Sequence, residues 1–239
     1  MLDRLEEAIE HERRFTADAS HELRTPLAAL KGRIEVLLSR ARTREEYEEA
    51  LADLGQDVER LIYLSTALLE LARLDQQPQD WKSVSLDLSE LLETMVESMQ
   101  QLAETREITL VGAIAPGLCV RGDFDQLTRL FLNLLDNALT YTPAGGRVTV
   151  RGDLRGEDVC VSIQDSGPGI APEHLPHLFE RFYRAQEDRT RSTGGAGLGL
   201  SIAWEIAHKH GGELSIQSTI RQGTTALVRL PSHTSHAAR

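Results

Sequence analysis

Apolar positions near the start of the chain repeat with helical spacing. Leu23, Leu27, Leu30, Ile34 and Leu37 are spaced 4, 3, 4, 3. Leu51, Leu54, Val58, Leu61, Ser65, Leu68 and Ala72 keep the same beat in a second segment. Such spacing lays a seam along each of two helices. Before residue 75 only Gly32, Gly55 and Pro26 oppose helix. Between the segments, Thr43 and Glu46 of ARTREE form the S/T-x-x-E capping box that predicts the start of the second helix. An antiparallel hairpin follows. Ile62 and Leu69 lie beside the main seam and give the hairpin a second apolar face, so two hairpins are expected to pair as a dimeric four-helix bundle.

The rhythm ends at DQQPQDWKS, a polar, proline-containing stretch that reads as an interdomain linker. Residues 1–78 are therefore expected to be the helical domain, with 1–12 entering as a helix from an upstream region. Residues 79–231 form a second domain and 232–239 a tail. In the second domain the texture is mixed. Strands are predicted near Val84 to Asp87, ITLVGA, LCVRGD, RVTVRGDL, EDVCVSIQD, ELSIQST and TALVRLP. Helices are predicted from Ser89, over FDQLTRLFLNLLDNALTY and over LGLSIAWEIAHKH. This is an α+β domain with a mixed sheet. The irregular run from Ser166 to Gly194, about 30 residues, is too long for a plain connection and is a candidate lid.

Composition narrows the function classes. The 239 residues carry 26 Lys+Arg against 37 Asp+Glu, a net charge of −11, which argues against wholesale binding of nucleic acid or of an anionic membrane surface. Cys119 and Cys160 are the only cysteines, with no CxxC pair, which suggests neither a disulfide framework nor a thiolate metal site and fits a reducing, cytoplasmic compartment. There is no run of 18 apolar residues and no signal-peptide core. No direct membrane contact by this chain is expected.

Five clusters carry candidate chemistry. The first is FTADASHELRTPLAAL. His21 lies about 180° around the helix from Leu30 and points away from the seam. Pro26 removes the helical partner of the Glu22 carbonyl and should bend the helix beside the histidine. Taken alone, His21 would be one solvated histidine among 8. The second cluster places Asn133, Asn137 and Tyr141 at i, i+4 and i+8 on one helix face, with Leu127, Leu130, Phe131, Leu134 and Leu135 on the buried side. Two carboxamides and a phenol in register offer oxygens to a hard cation and a ring to a planar base. In the third, Val159, Val161, Ile163 and Asp165 share a strand face, so a carboxylate ends a buried row just before Gly167 and Gly169. The fourth is LFERFYR with Phe179, Phe182 and Arg184, and the fifth is GGAGLGLSI with Gly195, Gly197 and Gly199 at the mouth of a helix beginning near Leu198. The fifth fits neither the P-loop nor the Rossmann fingerprint.

HELRTPL, unbroken from His21 to Leu27, resembles the H-box of sensor histidine kinases. NLLDNALTYTP, DSGPGI, LFERFYR, GGAGLGL and the late GTT resemble the family's N, G1, F and G2 boxes and its closing glycine-threonine element, in the family's order. The resemblance covers about residues 12 to 231. It implies a HisKA dimerisation and phosphoacceptor domain followed by an ATP-binding α/β sandwich of the GHKL type. It also implies ATP and Mg²⁺ as cofactors, and as partners a second copy of the chain and a response-regulator receiver domain. His21 would accept the phosphoryl group, with Glu22 holding the other ring proton. An unperturbed imidazole, with a pKa of about 6.5, is mostly neutral at pH 7 and competent for that attack. Asn133 would ligate Mg²⁺, Asn137 would lie near the phosphates and Tyr141 against adenine. Asp165 would accept the adenine amine, with Gly167 and Gly169 close to the base. Phe179 would pack under the lid and Arg184 would meet the terminal phosphate. Gly195, Gly197, Leu198 and Gly199 would present amides to the phosphates, and Thr224 belongs to the closing element. Thr25, at i+4 from His21, could orient a water for regulator dephosphorylation. The resemblance also implies a longer parent with a sensor and a membrane anchor upstream.

Two positions depart from the family pattern. Thr140 stands where many members carry Lys, so the phosphate-binding charge is expected elsewhere, with Arg181, Arg184 and Lys209 as candidates. Arg129 stands where related ATPases use Glu to activate water, which disfavours free hydrolysis. The competing readings are a GHKL ATPase driving conformational change, against which the unbroken H-box argues, and a dimeric scaffold with a degenerate nucleotide site.

Overall fold

A computed structural model describes residues 19, 23–76, 84–185 and 197–233. The chain divides into two compact units, Met1–Ala72 and Arg73–Arg239. The first holds helix α1, residues 23–38, and most of α2, Arg44–Gln76. The capping box forms as expected. Thr43 Oγ1 accepts from the Glu46 N–H at 3.2 Å, and Glu46 Oε2 accepts from the Thr43 N–H at 2.8 Å. At the other side of the turn, the Val36 carbonyl at the end of α1 accepts from Ser39 Oγ at 2.8 Å and Arg42 Nη2 at 3.2 Å. An ion pair from Arg33 to Asp57, 3.0 Å, joins the two helices.

The seam divides in two. Leu30, Leu37, Leu54 and Leu61 are half-buried between α1 and α2. Leu27, Ile34, Leu51 and Val58, from the same repeat, are exposed, and so are Ile62 and Leu69. Two helices in contact cover only one flank of such a stripe, and the other flank is left for a further layer.

The second unit is an α/β sandwich. Its elements are β1 Val84–Asp87, α3 Leu88–Thr105, β2 Thr109–Ile114, β3 Cys119–Gly122, α4 Phe124–Tyr141, β4 Arg147–Arg155 and β5 Asp158–Asp165. A 3-10 turn, Pro172–His177, then α5 Gly199–Lys209, β6 Glu213–Thr219 and β7 Gly223–Pro231 complete it. Five strands form a mixed sheet in the order β2-β4-β5-β7-β6, with β2 parallel to β4 and the other pairs antiparallel, while β1 pairs with β3 alone. Two local expectations change. Helix α3 opens at Leu88, capped by Asp87, because Ser89 turns inward and its Oγ accepts from the Leu118 N–H at 2.9 Å. The run after Ser166 also contains the short 3-10 turn, which Pro172 starts.

Helices α3, α4 and α5 lie on one face of the sheet. Phe131 and Leu130 of α4 are fully buried against it, as are Val148, Val161 and Val228 of the strands. Each large side chain contributes roughly 2–3 kcal/mol by leaving water. The opposite face is more polar, with Arg151 paired to Ser162 across β4–β5 and Glu213 paired to Arg229 across β6–β7. No helix among the described residues is long and apolar enough to cross a membrane.

Candidate functional site

The phosphoacceptor candidates His21 and Glu22 lie outside the described residues. The helix that carries them is described from residue 23, where Thr25 is exposed and Pro26 half-buried within α1. Between α1 and α2 runs a cavity of about 570 Å³, lined by Ala29, Gly32, Arg33 and Val36 on one side and Glu46, Ala50 and Asp53 on the other. On each helix these residues sit roughly 100–180° around from the exposed leucines. The hairpin thus has two unlike faces.

In the second unit the chemistry gathers at the end of β5. The strict alternation of β5 carries Val159, Val161 and Ile163 into the core and sets Asp165 on the same face at the strand's end. Its Oδ1 accepts two backbone N–H groups, from Gly167 at 2.8 Å and from Thr224 at 3.1 Å. The other oxygen is left for a donor. Burial pushes the carboxyl pKa above its ordinary value, and the two amide bonds pull against that push. The turn behind it is tight. A Cβ on Gly167 would lie 2.8 Å from both Asp165 Oδ1 and the Tyr141 carbonyl, so the end of α4 backs directly onto this loop. Gly169 has φ +72° and meets the Thr219 backbone, a conformation and a contact closed to any side chain.

Helix α4 brings Asn133 and Asn137, both half-buried, along the same side as Tyr141, which is 49% exposed. Asn133 Nδ2 is buried and has no hydrogen-bond partner. Phe179 faces Trp204 with ring centroids 6.4 Å apart, and Arg184 is half-buried. The Phe182 N–H donates to the Gly197 carbonyl at 3.0 Å, with Phe182 at φ +67° and Gly197 at φ +71°. This bond ties the end of LFERFYR to the glycine mouth. Leu198 is fully buried and precedes Gly199, the first residue of α5. Asp87 and Asp123 cap α3 and α4, whereas no side chain caps α5. Uncapped N-terminal amides suit a phosphate. Gly195 lies outside the described residues.

The structure revises the search for a cation to stand in for Thr140. Arg181 pairs with Glu205 at 3.5 Å. Lys209 ends α5, ten residues from Gly199 and so about 15 Å from the glycine mouth. The cation that reaches Thr140 is Arg106, whose Nη1 donates to Thr140 Oγ1 at 3.3 Å. Sequence reasoning missed it, because Arg106 follows α3, 34 residues earlier. It also missed Ser218. That residue was signalled by a polar side chain at i+4 and i+2 from Leu214 and Ile216, on the strand's inward face.

A Mg²⁺ ion fits the donor set only in part from the protein. Asn133 supplies one carboxamide oxygen, and its unpartnered Nδ2 shows the side chain is not engaged elsewhere. No group of three or more His, Cys, Asp or Glu able to hold a metal ion occurs among the described residues. A Mg²⁺ ion held by Asn133 would need most of its ligands from phosphates and water, the usual habit of that ion.

Comparison with known proteins agrees with this geometry. Residues 122–234 match the family described as Histidine kinase-, DNA gyrase B-, and HSP90-like ATPase, and residues 11–77 match the His Kinase A (phospho-acceptor) domain. Sensor histidine kinase RppB of Synechocystis sp. is 38% identical over 229 residues, which cover 94% of this chain and 50% of RppB. The mycobacterial sensor histidine kinase MprB is 33% identical, with a TM-score of 0.54 over 63% of this chain and 98% of the MprB chain. Full-length ShkA in complex with AMPPNP is 28% identical, with a TM-score of 0.68 over 93% of this chain and 46% of ShkA. The chain spans about half the length of the curated relatives it matches.

Proposed function

Because the chain belongs to the sensor histidine kinases of two-component systems, we propose that it transfers the γ-phosphoryl group of ATP to His21 and passes it to an aspartate of a response-regulator receiver domain. The observation that carries this reading is the half-saturated carboxylate of Asp165. With Oδ1 held by the Gly167 and Thr224 amides, Oδ2 is a single fixed acceptor, the complement of the amino group of adenine. From there Tyr141, Asn137 and Asn133 follow one side of α4, and the uncapped N-terminus of α5 offers backbone amides to the phosphates. The AMPPNP complex of ShkA supports the same ligand class.

The transfer is in line. The His21 nitrogen attacks the γ-phosphorus, the bond from that phosphorus to the bridging oxygen breaks, and ADP leaves. Glu22 accepts the hydrogen bond of the other ring nitrogen and keeps the attacking lone pair free. Mg²⁺, with Asn133 as its protein ligand, would neutralise phosphate charge. Arg106, beside Thr140, and Arg184 supply positive charge on the protein side.

The hairpin supplies two surfaces for this chemistry. Its exposed stripe, with Leu51, Ile62 and Leu69, fits a second copy of the chain in a four-helix bundle. The groove on the opposite side, between Gly32 and Arg33 of α1 and Ala50 and Asp53 of α2, offers an open surface of mixed polarity to a helix of the receiver domain. Thr25, exposed on α1, would orient a water that hydrolyses the receiver's phospho-aspartate to aspartate and phosphate, a reaction separate from the transfer. No nucleic acid or membrane surface enters this scheme. The longer parent is a membrane-anchored sensor with this chain on the cytoplasmic side.

Incubation with γ-labelled ATP and Mg²⁺, comparing wild type with His21→Gln, tests the proposal. Acid-labile, base-stable label in the wild type and none in the variant is the expected result. Absence of label in both, with nucleotide bound, would favour the ATPase. Absence of binding would favour the scaffold.

A further inference from the structure

Ser218 lies on β6 opposite Thr224 of β7, and the β5–β7 register sets Thr224 beside Asp165. The three side chains form one row across three strands on the helix-bearing face. Ser218 Oγ contacts three groups. The Ile170 N–H lies at 2.8 Å, the Gly223 carbonyl at 2.9 Å and Thr224 Oγ1 at 2.9 Å. Counting protons fixes the directions. A carbonyl can only accept, so the serine proton goes to Gly223, and the Ile170 N–H occupies one serine lone pair. The remaining lone pair can only receive, so the Thr224 hydroxyl donates to Ser218. Thr224 is then left with lone pairs alone to show to anything beside Asp165.

We infer that Ser218 is a positioning residue that sets the nucleobase preference of the site, by holding the Thr224 proton so that Thr224 and Asp165 face the base as two acceptors. The inference rests on the nucleotide-binding reading above and deepens it. Two acceptors in a row match the two hydrogens of the exocyclic amine of adenine, directly or across one water, and they repel the O6 carbonyl of guanine. Remove the Ser218 hydroxyl and the Thr224 proton is released. It can then turn outward and donate to a carbonyl, and the discrimination falls. The same hydroxyl anchors Ile170 behind Gly169, so the turn that shapes the base site and the proton that sets its polarity are held by one atom.

The test is displacement of a fluorescent ATP analogue from the whole chain by ATP and by GTP, with Mg²⁺ present. Ser218→Ala should lower the preference for ATP over GTP by about tenfold, and Ser218→Thr, which keeps the hydroxyl, should restore it. A merely structural role would weaken both nucleotides alike. Thr224→Val keeps the amide bond to Asp165 and loses only the hydroxyl. It should show the same drop, with no further loss in the double variant. Should Ser218→Ala fail to fold, Thr224→Val decides alone. An unchanged ATP preference in either folded variant, while the wild type binds ATP, overturns the inference and leaves the kinase reading intact. A wild type that binds no adenine nucleotide overturns both.

Discussion

Leucine meets mixed fates on the hairpin, where Leu64, Leu68 and Leu71 of α2 are buried, and a more uniform one on α4. On the hairpin Leu27, Leu51 and Leu69 are each more than half exposed, whereas on α4 Leu127, Leu130 and Leu135 are sealed beneath the sheet. Both patterns are helical repeats of similar spacing, so the difference lies in what the local chain provides to cover them. α4 lies on a sheet assembled from its own sequence. Along α1 and the first half of α2 the described helices leave Leu27, Ile34, Leu51, Val58 and Ile62 uncovered, a stripe that fits another molecule. The α/β unit therefore carries a site built from internal hydrogen bonds, while the hairpin carries surfaces whose worth appears only on association. Perturbing one unit should change binding chemistry, and perturbing the other should change assembly.

The largest separation is expected from Ile62→Asp. In one hairpin this residue is 54% exposed, so a charge there costs the isolated fold little. In a four-helix bundle two copies of that charge would be buried without partners, at several kcal/mol each, enough to abolish dimerisation. Sedimentation should show monomer with full nucleotide binding. A dimer of undiminished affinity would remove the bundle from the scheme.

Asp165→Asn should do the reverse. The amide keeps an oxygen for the Gly167 and Thr224 N–H groups and turns an NH₂ toward the adenine amine, donor against donor. ATP affinity should fall about 100-fold, roughly 3 kcal/mol. Stability should move the other way. A carboxyl whose folded pKa is raised favours the fold while protonated, and that contribution disappears as pH rises through the folded pKa. At pH 7 the ionised group opposes folding, so the neutral amide should melt at the same temperature or higher. A melting point that falls together with affinity would mean that Asp165 holds the fold rather than the ligand.

Legibility in the sequence follows the same division between local and distant. The alternation of Val159, Val161 and Ile163 gave the face of Asp165, and Thr43 with Glu46 gave the start of α2, because each depends on neighbours within one turn or one strand. The leucine beat of the hairpin was readable as helix, but not which seam residues stay uncovered, since that depends on the helix–helix angle. The bond from Thr224 to Asp165 joins residues 59 apart, and the bond between Ser218 and Ile170 spans 48. Arg106 meets Thr140 across 34 residues. Motif order pointed to a candidate nucleotide site, but the hydrogen bonds around it are set by strand register and helix placement, which no short window contains.

His210 offers the smallest and most selective probe of the internally bonded unit, because it joins the helix behind the glycine mouth to the helix that bears the two asparagines. Its Nδ1–H donates to the Ile206 carbonyl at 2.7 Å, and Nε2 accepts from the Asp123 N–H at 3.2 Å. The fit is close enough that a Cβ on Gly122 would lie 2.6 Å from the ring. The bond from Asp123 requires the neutral imidazole, since a proton on Nε2 would face the Asp123 N–H, whereas the bond to Ile206 survives protonation. Burial lowers the pKa from its ordinary 6.5, against the bond to Ile206 and the charge of Asp123, which raise it. A histidine shifted downward contributes stability that is whole above the unfolded pKa and is lost as pH falls through the folded one. The α/β unit should therefore lose stability, read as a falling melting temperature, as pH drops from neutrality through the region below 6.5. His210→Gln, which can still accept from Asp123, should flatten that slope. A wild-type melting curve as flat as the variant's over the same interval would show that the α4–α5 tie does not depend on the charge of this ring.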